Sequence, residues 1–250
     1  MVPLWAQATL WGLLGGGALL IGAAIGYYVK VRAKIASSIM AFGAGVLISA
    51  LAFDLMSEAY GQGGFDSTAL GFLAGAVVYT AANWFLKKKG AHHRKHSGNQ
   101  QASEAEDSGS GLALAIGALI DGVPESIAIG ISMISGSSVS VAMVAAVFLS
   151  NVPEGLSSAV GMKKANRSKG YIFGVWGGIA VISGLAAWLG YSVFSEFSPE
   201  VIAGTTALAA GAILAMVSDT MIPEAVEVTH HLTGLITVLG FLTAFVLSHV

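Results

Sequence analysis

The chain has 250 residues, 55% of them hydrophobic and only 10% charged, with a net charge of −2 and a mean hydropathy of +0.76. A soluble domain carries about 25% charged residues, so the composition is that of an integral membrane protein, with the lipid bilayer as its partner and no signature of nucleic-acid binding. Cysteine is absent, which excludes disulfides and thiolate metal ligands.

Eight apolar segments approach or exceed the roughly 20 residues that cross a hydrocarbon core of about 30 Å. They cover residues 4–29, 35–60, 67–86, 111–134, 139–162, 170–194, 199–223 and 232–249. The N-terminus lacks a basic flank and a small-residue cleavage site, so the first segment is expected to be mature structure. Four glycine pairs, Gly12/Gly16, Gly22/Gly26, Gly71/Gly75 and Gly174/Gly178, have the spacing of close helix contacts. The first polar loop holds Lys30, Arg32 and Lys34. The third holds Lys87, Lys88, Lys89, Arg94 and Lys95, and the fifth Lys163, Lys164, Arg167 and Lys169; together these are all 12 basic residues. With eight spans all three loops fall on one face. The positive-inside rule makes that face cytoplasmic and puts both termini outside.

Residues 87–110 form the one long polar stretch, rich in Ser, Gly, Gln and charge, and read as a flexible cytoplasmic loop. His92, His93 and His96 lie in it, and His230 and His231 follow the seventh segment. These imidazoles are candidates for a cytoplasmic metal loop; the competing reading is a solvated linker. The plan is therefore spans 1–3 over residues 1–86, the loop, spans 4–5 over 111–162, and spans 6–8 over 163–250.

The chemistry concentrates in the fourth and fifth spans. One contains Asp121-Gly122-Val123-Pro124-Glu125-Ser126 and the other Ser150-Asn151-Val152-Pro153-Glu154-Gly155. Asp121 and Glu125 are four residues apart and share one helical face, as do Ser150 and Glu154. Each proline kinks its helix and frees a carbonyl, that of Ile120 or Leu149, to face an ion or water. Asp54 and Glu58 close the second span, and Asp219 and Glu224 the seventh. Both pairs read Asp, Met, Glu-Ala in helices of opposite direction, as an inverted repeat would give. These four are candidates for a transport path.

At about 3 kcal/mol for each unpaired charge, seven intramembrane carboxylates would cost on the order of 20 kcal/mol. A domain's net stability is about 5–15 kcal/mol. No Lys or Arg lies in any predicted span, so salt bridges are not expected to neutralise them. Protons, water and metal ions remain. Packing of two kinked helices with protonated acids is the bland alternative.

These motifs resemble the ZIP family of divalent-metal transporters, near its GufA-like bacterial branch, whose fourth-helix motif reads His-Asn-x-Pro-Glu-Gly. The resemblance implies an all-α polytopic membrane protein of eight transmembrane helices. They would be arranged 3+2+3 as inverted repeats around helices 4 and 5, in a prokaryotic inner membrane, often as a homodimer. It implies no enzymatic activity and no prosthetic group. The cargo would be zinc, or iron, manganese or cadmium, moved toward the cytoplasm. Carried over by position, Asp121, Glu125, Ser150 and Glu154 form the main metal site. Asn151 joins Glu125 and Glu154 at a second site, depleted because Gly122 stands where the family has asparagine. Asp121 stands where histidine is usual. The resulting ligand set is oxygen-only and suits harder cations as well as zinc. Deleting residues 91–108 is expected to leave basal transport largely intact. Alternatives from other classes are a proton-coupled carrier of an organic solute, a non-transporting metal sensor, and an intramembrane hydrolase using Asp54 and Asp219. No Gly-rich phosphate loop with Lys-Ser/Thr is present, which argues against ATP-driven pumping.

Overall fold

A computed structural model describes residues 2–91, 93–95, 101, 103, 106, 109–134 and 141–248. His92 and His96 lie outside the described residues. The described chain is helical throughout: α1 (Leu4–Tyr28), α2 (Ala33–Ala50), α3 (Met56–Leu86), α4 (Ser110–Ser132), α5 (Val141–Lys164), α6 (Lys169–Phe194), α7 (Pro199–Met216), α8 (Ile222–Thr229) and α9 (Thr233–Leu247). Short π-helical stretches, Leu51–Leu55 and Val217–Met221, run α2 into α3 and α7 into α8.

Among the described residues, six helices are long and apolar enough to cross a membrane. Two of these are far longer than one crossing needs: Ala33–Ala91 with 59 residues and Pro199–Leu247 with 49. Neither is regular. Gly64 breaks the first at φ 68° and ψ −169°, and His230 breaks the second at φ 46° and ψ −116°. Large apolar side chains such as Leu10, Leu70, Val77, Leu185 and Leu235 are exposed on the outside of the bundle. Helices apolar on both faces bury one against protein and offer the other to lipid.

The packing follows the small residues. α1 lies against α5 and α6, α2 against α5 and α9, α3 against α7, and α4 against α6 and α7. A Cβ on Gly22 would collide with the Val152 carbonyl, and one on Gly155 with the Leu19 carbonyl, so α1 and the kinked part of α5 touch backbone to backbone. α6 meets α4 the same way through Gly130 and Gly190. Three of the four glycine pairs read from sequence sit at such crossings. Gly174 and Gly178 face open space instead.

Pro124 lies inside α4 and Pro153 inside α5, as expected. Gly43 on α2 accommodates the second kink: a Cβ there would lie 3.1 Å from Ser150 Cα and 3.3 Å from Pro153 Cγ. A core of Met40, Ala44, Leu47, Val147, Ile213 and Met216 packs α2, α5 and α7 together, and the carboxylate-bearing turns of α4 and α5 are buried in the same bundle.

Candidate cation site

Asp121, Glu125, Ser150, Asn151 and Glu154 are all buried, each at most 4% exposed. Ser150 and Asn151 each spend a donor on the backbone. Ser150 Oγ donates to the Val147 carbonyl at 3.0 Å, and Asn151 Nδ2 to the Gly15 carbonyl of α1 at 3.0 Å. Both fix the kinked α5, and the Asn151 amide oxygen and the Ser150 lone pairs remain as acceptors.

Asp121 is neutralised by protein. Arg94 grips it bidentately, Nε on Oδ2 at 2.9 Å and Nη2 on Oδ1 at 2.8 Å. Tyr79 OH donates to Oδ1 at 2.7 Å and accepts from Arg94 Nη2 at 2.8 Å. Arg94 Nη1 donates to Asn83 Oδ1 at 2.9 Å. Lys95 Nζ donates to Glu154 Oε2 at 2.7 Å and lies 3.4 Å from Asp121 Oδ2. The expectation that no salt bridge reaches these acids is therefore corrected. Both cations come from the loop, not from a span. The chain turns back through Gly90 (φ 89°) and His93 (φ 55°) and inserts Arg94 and Lys95 between α3, α4 and α5, where they are 4% and 1% exposed. A sequence count of charges within spans misses cations that enter from a span's end.

Glu125 differs from its neighbours. Neither oxygen meets a donor at bonding geometry among the described residues, although the Asn151 carboxamide is close by. Gly122 faces α6, where a Cβ would make ordinary contact with Ile179 at 3.7 Å and Ser183 at 3.9 Å.

The acids of the expected path divide. Asp219 is half-buried and approaches the centre through Asn83, whose Nδ2 lies 3.5 Å from its Oδ2. Glu224 is buried, with His93 Nδ1 at 3.6 Å from its Oε1. His93, Glu224 and Glu227 hold ligand atoms that all lie within 4.8 Å of one another. With Lys87, Arg94 and Asp219 they line a cavity of about 140 Å³. His230 and His231 are exposed and stand outside that group. Asp54 is half-buried in the Leu51–Leu55 stretch, and Glu58 accepts from Gln62 Nε2 at 3.0 Å. Lys95 stands between Asp121 and Glu154, bridging the two carboxylates of α4 and α5.

Sequence reasoning overlooked Tyr79, Asn83, Arg94, Lys95, Gln101 and Glu227. Tyr79 and Asn83 carried a readable signal, two polar groups four residues apart in an apolar span. Gln101 carried none. No family model and no curated protein matches the chain.

Proposed function

We propose that the chain is a divalent-cation transporter of a prokaryotic inner membrane, moving zinc, or iron, manganese or cadmium, toward the cytoplasm through the site between α4 and α5. The observation that carries this reading is a set of three buried carboxylates on two adjacent proline-kinked helices. One of them, Glu125, lacks a hydrogen bond to either oxygen among the described residues. A buried carboxylate without a partner is costly, and a bound cation is one way of relieving that cost. The motifs that resemble the ZIP family fall on these same turns.

The eight-span, inverted-repeat plan belongs to the same reading. At 1.5 Å per residue the stretch Ala33–Ala91 would measure about 90 Å as one rod, roughly three bilayer cores, so a fold at Gly64 into two crossings suits it. His230 serves the same purpose in Pro199–Leu247. The packing supports the repeat. Exchanging α1 with α6, α2 with α7, α3 with α9 and α4 with α5 maps the α1–α5 contact onto α6–α4, α2–α5 onto α7–α4, and α2–α9 onto α7–α3. The α1–α6 contact maps onto itself. The basic loops share one end of the bundle: Lys163 donates to the Tyr27 carbonyl and Arg167 to Ser110 Oγ, while Lys169 lies over the Tyr28 ring.

Uptake into proteoliposomes, with Zn²⁺, Mn²⁺, Fe²⁺ and Cd²⁺ supplied separately, tests the proposal. Wild type should accumulate at least one of them, and Glu125→Gln and Glu154→Ala should not. Folded wild-type protein that moves none of these ions removes the reading.

A further inference from the structure

We infer that Lys95 is a tethered counter-cation standing where the cargo ion would stand, and that a divalent metal enters the central site only by displacing it. The inference rests on the transport function proposed above and adds to it the group that competes with the cargo.

Lys95 and Arg94 are neighbours in sequence but are held differently. Four of the five Arg94 N–H donors are engaged by Asp121, Tyr79 and Asn83 in a planar fork arrangement. It also has a cradle. A Cβ on Gly117 of α4 would lie 2.7 Å from Arg94 Cδ and 3.1 Å from its Nε, so the glycine makes the room. Gln101 Nε2 donates to the Arg94 carbonyl at 3.0 Å and to the Ser158 carbonyl of α5 at 3.2 Å, pinning the returning loop to the bundle. Arg94 is thus an anchor. Lys95 presents a compact ammonium on a flexible stem, and its ion pairs run to Glu154 and Asp121, on different helices.

Charge decides the exchange. With all groups ionised, three carboxylates face two protein cations, which leaves one negative charge beside Glu125. Replacing Lys95 by a divalent ion brings the site to neutrality, whereas a monovalent ion only restores the starting balance. Desolvating a buried ion pair consumes much of its Coulomb attraction. The ammonium regains hydration when it leaves the buried site. The swap is therefore open to a cation that brings two charges and closed to one that brings one.

Residue-resolved acylation of lysines in the purified wild-type chain, read by mass spectrometry, tests this with and without Mn²⁺ or Zn²⁺. Without metal, Lys95 should react at least about tenfold more slowly than the exposed Lys89. Saturating metal should bring the two rates together, and Glu125→Gln should abolish the effect. Direct Mn²⁺ binding provides the second readout, with Lys95→Met binding about tenfold or more tighter than wild type, a gain of about 1.4 kcal/mol or more. Metal binding that leaves Lys95 protected, or Lys95 as reactive as Lys89 without metal, overturns the displacement and leaves transport standing. Absence of metal binding in both wild type and Lys95→Met, together with absent uptake, overturns the transport function itself.

Discussion

Arg94 shows how much rests on one side chain. It joins α3, through Tyr79 and Asn83, to α4, through Asp121. Removing one partner of a buried ion pair typically costs about 3–5 kcal/mol, because the other charge stays buried. Arg94→Ala should lower stability by about that amount in detergent, read as a drop in the unfolding midpoint. Arg94→Lys should recover little, since an ammonium cannot span both oxygens and Asn83 together. Tyr79→Phe deletes a hydroxyl that donates to Asp121 and accepts from Arg94, and should cost about 1–3 kcal/mol in the same assay. Glu125 was legible in sequence as an intramembrane acid with a helical partner. Its distinction from Asp121 was not, because both obey the same spacing and it is Arg94, Lys95 and Tyr79, gathered on Asp121, that separate them.

Helix by helix, close approach decides what a substitution does. Gly155 meets the Leu19 backbone and Gly178 meets open space. Both are mid-helix, where alanine is favoured over glycine by about 1 kcal/mol. Gly178→Ala should therefore be neutral or stabilising. Gly155→Ala should destabilise and reduce uptake, because α1 has to move off the kink at Pro153. Thermal unfolding and vesicle uptake of the two variants make the comparison. The four glycine pairs looked alike in sequence. Spacing identifies a small-residue face but not whether another helix covers it, and only three of the four are covered. The prolines and the carboxylate spacing were legible because they are properties of a single helix, fixed by 3.6 residues per turn.

Across the whole molecule, described residues of the segment between α3 and α4 belong to the site. Arg94, Lys95 and Gln101 fall within residues 91–108, whose deletion the sequence reading expected to leave basal transport largely intact. Deletion should instead destabilise the metal-free protein by stripping Asp121 and Glu154 of their counter-charges. Added metal should then stabilise the deletion variant more than wild type. A ligand at a hundredfold above its Kd contributes about 2.7 kcal/mol, enough to appear in melting curves taken with and without Mn²⁺. Equal metal-induced shifts in the two proteins would show that the loop does not compete with the ion.

What the sequence determined by itself was local and compositional. Low charge and long apolar runs make the chain helical and membrane-embedded, because lipid leaves the backbone no other partner than itself. Proline and carboxylate spacing place the acids of α4 and α5 on their helical faces. What only the tertiary structure decided was which charge meets which. Arg94 finds Asp121 at 27 residues' separation, and Lys95 finds Glu154 at 59. No periodicity encodes such pairings. They follow from a loop that turns back on itself and from a glycine that leaves room for a guanidinium, and both are properties of the packed bundle.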